Sequence, residues 1–217
     1  MGRTLLNWKT SAALFALSCG LLAGTLDADA QTPDQQWTYC ENQDGYALDL
    51  QIGGCTGVIQ SGRGTPAELA GAFYNRGRAY HDQGDYARAI ADFDQAIRLN
   101  PQFALAFNNR GRAYGAQGDH ARAIADYDQA IRLDPQFALA FYNRGLAYQD
   151  QGDYARAIID FDQAGFIDAN DADYQHSRCW VRALVNRELD VARAACDAAL
   201  PLTAEDADIL NSRGLVG

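Results

Sequence analysis

The chain reads as an all-α solenoid, a stack of helix-turn-helix units closed at each end by a worn copy of the same unit. Three observations carry this reading. Ala70 to Phe103, Ala104 to Phe137 and Ala138 to Asp171 are three tandem copies of one 34-residue unit, and a fixed period of this length is the signature of stacked supersecondary units. In each copy, small and apolar residues recur at helical spacing on both sides of a Gln-Gly-Asp turn. In the middle copy Phe107, Gly111, Ala113 and Tyr114 precede Gly118, and Ala123, Tyr127 and Ala130 follow it. Pro101 and Pro135 then stop the second helix and let the next unit begin.

Taken in chain order, residues 1–30 have the three parts of a secretory signal. Arg3 and Lys9 form the charged region, Ser11 to Gly24 an apolar stretch, and Asp27-Ala28-Asp29-Ala30 ends in an Ala-x-Ala cleavage site before Gln31. The stretch of about 14 residues is shorter than the roughly 20 a spanning helix needs, so cleavage is expected and no membrane span after it. The expected location is periplasmic or secreted. Removing the signal leaves 16 basic against 26 acidic residues, so the charge stays at −10 and every remaining cation except histidine is an arginine. Counterion-release binding to nucleic acid needs a basic patch; here the arginines are interspersed with aspartates, so neither nucleic acid nor anionic membrane is expected as a partner.

Residues 31–69 read as a degenerate N-terminal capping hairpin. Ile52 to Ile59 follows the template of Ile90 to Ile97, with Cys55 where Phe93 stands. The three full repeats occupy 70–171. Residues 172–217 read as a degenerate C-terminal repeat and a capping helix. Cys196 to Leu200 echoes Phe93 to Ile97, and Leu210-Asn211-Ser212-Arg213-Gly214 repeats Phe107-Asn108-Asn109-Arg110-Gly111, so a lone first helix closes the array.

The unit resembles the tetratricopeptide repeat. That family's pattern of a small residue, an aromatic, an alanine, another aromatic, an alanine and a proline is matched by Gly77, Tyr80, Ala89, Phe93, Ala96 and Pro101. The same set returns in the second copy; the third departs at its end, where Ala169 replaces the proline. The resemblance implies a right-handed α-solenoid whose first helices line a concave face. Close packing explains the pattern, since glycine and alanine let the helices approach and the aromatics fill the gap to the neighbouring hairpin.

With Cys19 leaving in the signal, four cysteines remain, in pairs. Residues equidistant from the turn of an antiparallel hairpin face each other. Cys179 takes the position of Gly111 and Cys196 that of Tyr127, so Cys40–Cys55 and Cys179–Cys196 are the expected disulfides, one in each cap. The alternative is four buried free thiols. The spacing offers no Cys-x-x-Cys for zinc or redox work, and neither metal nor cofactor is expected.

Asn75, Asn109 and Asn143 recur every 34 residues on the first helices. Their amides offer the donor and acceptor that an extended peptide backbone requires, and the row is similar to the asparagine ladder in the solenoid of O-GlcNAc transferases. Tyr74, Asn108 and Tyr142 precede it by one residue, while Arg78 and Arg112 follow by three, with Leu146 as the third member. Together these are the candidate peptide-binding residues, suited to an extended or acidic segment. The structural alternative is that the asparagines bond to neighbouring helices and set repeat geometry. Arg76, Arg110, Arg144, Arg178 and Arg213 are expected to pair with second-helix aspartates such as Asp94, Asp128 and Asp162, mirrored across the turn, and Asp92 and Asp94 to lie on a solvated face.

His81, His120 and His176 belong to different repeats and compose no catalytic set; His120 stands where Tyr86 and Tyr154 stand and reads as a packed aromatic substitute. The expected function is a non-enzymatic, exported scaffold that binds another protein or peptide segment, with a homodimer through one end left open. The competing readings are a glycan or small-ligand module stacking sugars on Tyr74 and Tyr142 and, last, a cell-wall hydrolase.

Overall fold

The computed structural model describes residues 32–41, 45–202 and 207–215. The expected signal, residues 1–30, lies outside them. Each copy folds as two helices because the Gln-Gly-Asp turn stops one and starts the next. Gly84, Gly118 and Gly152 take φ of 80°, 79° and 77°, a region open to glycine at no steric cost. The aspartate that follows then caps the second helix: Asp85, Asp119 and Asp153 each accept a hydrogen bond at 3.0 Å from the backbone N–H of Arg88, Arg122 and Arg156. The same arginines lie 4.3 Å from the ring centroids of Tyr80, Tyr114 and Tyr148, bracing the turn from both sides.

The resulting hairpins are α3 (Pro66–Asp82) with α4 (Tyr86–Leu99), α5 (Ala104–Ala116) with α6 (His120–Leu133), and α7 (Ala138–Asp150) with α8 (Tyr154–Ile167). Before them stand α1 (Pro33–Glu41) and α2 (Leu48–Ser61); after them come α9 (Ala172–Leu184), α10 (Leu189–Ala199), a 3-10 turn at Leu200–Leu202 and α11 (Ala207–Leu215). The helix α3 begins ahead of its counterparts because Thr65 and Glu68 form a reciprocal capping box with Pro66 at the first turn. Between hairpins, Asn100, Asp134 and Asp168 turn the chain by accepting from the backbone N–H of Gln102, Gln136 and Asn170. The third junction therefore keeps its geometry with Ala169 in the proline's place.

Inside each hairpin a glycine on the first helix faces an aromatic ring on the second. A Cβ on Gly77, Gly111 or Gly145 would come within 2.7–2.8 Å of Phe93, Tyr127 or Phe161. Around each contact lie alanines with no exposure, among them Ala89, Ala96, Ala123 and Ala157. In the end hairpins a cysteine pair stands in the same place. The sulfurs of Cys40 and Cys55 lie 2.08 Å apart and those of Cys179 and Cys196 2.00 Å, all four residues fully buried. The turn between α9 and α10 lacks glycine, and Asn186 adopts the left-handed φ of 51° instead.

Neighbouring first helices approach one another, as α1–α3, α3–α5 and α5–α7 do, whereas the second helices stand farther apart. The stack therefore curves with its first helices on the inner face. The lone α11 packs on both α9 and α10, covering the last hairpin.

Candidate functional site

The asparagine row divides into three environments. Asn109 is buried; its amide nitrogen donates to the Tyr74 hydroxyl and the Leu105 carbonyl, both at 3.0 Å, and its oxygen accepts from Arg112 at 3.1 Å. Asn143 donates to the Asn108 side-chain oxygen at 2.9 Å. Asn75 is half-buried and makes no side-chain hydrogen bond to the described residues. The rungs continue past the full repeats, since the Tyr142 hydroxyl bonds with Ser177 and His176 Nε2 lies 3.0 Å from Ser212 Oγ. Each rung ties one first helix to the next, a use of the period that stacking alone accounts for. Asn109 has both amide hydrogens engaged within the protein.

Tyr74 and Tyr142 are packed between hairpins. Tyr74 sits 6.0 Å from Phe93 and 4.9 Å from Phe103 by ring centroids, and Tyr142 5.8 Å from Phe161 and 5.0 Å from Tyr174. Their rings are half-buried against these neighbours. Burial pushes the Tyr74 phenol above its ordinary value, against the pull of Arg78, Asn109 and Arg112. In the middle copy Asn108 takes the ring's place, fully buried, with its amide nitrogen unpaired among the described residues.

The arginine–aspartate pairing differs from the sequence reading in its partners. The residue mirrored across the turn is the earlier aspartate: Arg76, Arg110 and Arg144 grip Asp92, Asp126 and Asp160 through paired contacts of 2.6–2.8 Å. Asp94, Asp128 and Asp162 instead receive the arginine of the next hairpin, Arg110, Arg144 and Arg178. At the chain end Arg213 pairs with Asp197. Asp92, Asp126 and Asp160 are buried, not solvated, because the guanidinium covers them from the facing helix. Burial pushes the Asp126 and Asp160 carboxyls up against the pull of their arginines, and those carboxylates hold Arg110 and Arg144 above their ordinary values.

These engagements leave Arg78 and Arg112 as the candidates that project into the concave face. Both are exposed, and neither pairs with a carboxylate among the described residues. Asn75 lies one turn from Arg78 on the same face of α3. The result is a cationic spot on the inner surface of a chain whose formal charge is −10. His120, expected as a packed aromatic substitute, is half-buried as Tyr86 and Tyr154 are, with Nδ1 3.9 Å from Asp150. Among the described residues no group of histidine, cysteine and carboxylate side chains could hold a metal ion, and no helix is long and apolar enough to cross a membrane.

Sequence reasoning missed the ladder's polar ends at His176, Ser177 and Ser212. Alignment of the degenerate repeat carried the signal, since His176 and Ser177 fall one 34-residue step from Tyr142 and Asn143, and Ser212 one step and a single insertion from Ser177.

Helix pairs of this construction, stacked with glycine–aromatic cores, define a helical-repeat solenoid. Family models described as TPR repeat match residues 77–118 and 111–152, and one described as tetratricopeptide repeat matches 138–171. Residues 77–171 of the chain are tetratricopeptide repeats. Among solved structures, MamA is 21% identical with a TM-score of 0.65, covering 76% of this chain and 93% of its own. YrrB, described as a TPR protein with an unusual peptide-binding site, is 16% identical at a TM-score of 0.63, covering 82% and 88%. The first TPR of Spaghetti (RPAP3), solved with the HSP90 peptide SRMEEVD, is 20% identical at 0.54, covering 56% and 97%. At these identities the likeness is one of fold. No curated protein matches the sequence significantly.

Proposed function

We propose that this chain is an exported, non-enzymatic scaffold that holds an acidic, extended polypeptide segment in its concave groove, in service of assembly in the cell envelope. The observation that carries the reading is the pair of exposed, carboxylate-free guanidiniums of Arg78 and Arg112 on the inner face of an otherwise acidic molecule. A guanidinium offers a planar fork of donors to a carboxylate, and Asn75 adds an amide for peptide backbone. Support comes from two proteins of the same fold, one solved with a peptide ending in acidic residues and one described by its peptide-binding site. Export rests on the three-part pattern of residues 1–30 and on two cysteine pairs at bonding distance, which suit an oxidising compartment.

The test is affinity capture from the cell envelope with the natural chain and with Arg78→Glu/Arg112→Glu, both checked for folding by circular dichroism. A partner held by the first and lost by the second, with binding that weakens as salt rises, is the expected result. Equal capture by both would overturn the groove reading. N-terminal sequencing of the exported protein is expected to begin at Gln31; a retained Met1 would remove the cleaved signal.

A further inference from the structure

The concave-face position of Arg78 on α3 and Arg112 on α5 recurs at Leu146 on α7 and Trp180 on α9, each 34 residues from the last. The row thus changes character halfway along, from guanidiniums over the first two hairpins to apolar side chains over the next two. At its far end a cavity of about 290 Å³ opens between α9 and α11, lined among the described residues by His176, Trp180, Asn211 and Ser212. Trp180 is half-buried and forms an apolar wall, and Asn211 is exposed at the rim. Buried Ser212 closes the floor, 3.0 Å from His176. Cavities that take whole small molecules begin at roughly 300 Å³ and are mostly apolar. This one sits at that lower limit, and its size suits one bulky side chain.

We infer that this cavity is an anchor for a bulky apolar side chain of the same segment whose carboxylates lie over Arg78 and Arg112. The inference rests on the groove reading above and commits to a bipartite ligand. Charge complementarity locates its acidic end, and continuity of one 34-residue register along the inner face locates its apolar end. Arg112 and Trp180 are separated by two steps between first helices. At about 10 Å per step, the separation is about 20 Å. An extended chain covers that in about six residues at roughly 3.3 Å each.

The experiment uses the full chain and fluorescein-labelled peptides read by polarisation. Each peptide carries Glu-Asp-Glu, a Gly-Ser spacer of about six residues and a terminal Trp, Leu or Ser, and is made in both chain directions. In one direction, the Trp and Leu peptides are expected to bind about tenfold tighter than the Ser peptide. Trp180→Ala should cancel that gain and leave Ser-peptide affinity unchanged, whereas Arg78→Glu/Arg112→Glu should weaken every peptide. Trp180→Arg, which extends the cationic row, is expected to remove the apolar gain and to favour a terminal Glu; it keeps the test available if the alanine variant does not fold. Equal binding of Trp and Ser peptides, or a gain that survives both Trp180 variants, overturns the anchor and leaves the groove standing. Failure to hold any peptide, or indifference to the arginine variant, overturns the groove reading and the anchor with it.

Discussion

Arg144 shows what a single side chain does in this stack. Its guanidinium holds Asp160 of its own hairpin through two contacts and Asp128 of the preceding hairpin through a third. Asp160 is 2% exposed, so truncating the arginine leaves a buried carboxylate without its counter-charge. Removing one partner of a buried pair costs about 3–5 kcal/mol; Arg144 keeps 19% of its side chain in solvent, which lowers the expectation for Arg144→Ala to about 2–4 kcal/mol by urea denaturation. Asn108 offers the opposite case. Its unpaired, buried amide occupies a site that Tyr74 and Tyr142 fill with rings in the flanking copies. Asn108→Tyr replaces the amide by a hydroxyl positioned to accept from Asn143, as Tyr74 accepts from Asn109. A gain of about 1–2 kcal/mol is expected in the same assay, and a loss would show that the middle repeat has no room for the ring.

The second helices α4, α6 and α8 owe their starts to aspartates whose ionisation is tied to folding. The backbone N–H and then the guanidinium of Arg88 and Arg122 hold the Asp85 and Asp119 carboxyls below their ordinary value; for Asp153 the Arg156 guanidinium leads and the backbone follows. A depressed folded pKa means the folded state releases its proton more readily than the unfolded chain. The stabilisation is therefore complete above the unfolded value of about 4 and is lost as pH falls through the lower folded values. Melting temperature is expected to fall from pH 5 to pH 3, and the triple variant Asp85→Asn/Asp119→Asn/Asp153→Asn to show a shallower fall over that range. Helix boundaries and turns of this kind were readable along the chain, because glycine, aspartate and proline act through local backbone geometry. The two apolar departures on α8 were not interpretable: Ile159 and Phe166 are 66% and 81% exposed where the first copy has Ala91 and Arg98, and nothing in the structure accounts for them.

The stack as a body has only about three full repeats between its end hairpins, near the minimum for such an array. Its end hairpins place a cysteine pair where inner hairpins place glycine against a ring, so a covalent link would stand in for that packing contact. Loops of 15 and 17 residues imply about 3 kcal/mol from each link. Mass spectrometry of the exported chain, alkylated without reductant, is expected to leave Cys40, Cys55, Cys179 and Cys196 unmodified, and reduction to lower the melting temperature. Modification of all four would establish free thiols.

The 34-residue period, the helix-turn-helix unit and the closeness of Cys40 to Cys55 and of Cys179 to Cys196 were legible from sequence, because each depends on spacing within one hairpin. Which side chains face the groove was not. Asn109, Asn143, Tyr74 and Asn108 recur as regularly as Arg78 and Arg112, and a period cannot separate residues that stack one hairpin on the next from residues that await a ligand. The same limit hid the double grip of Arg110 on Asp94 and Asp126, since one of those carboxylates belongs to the preceding hairpin. Spacing along the chain specifies what meets inside a repeat. The rotation and distance between repeats, set by how their surfaces pack, decide what meets across them and what is left open to a partner.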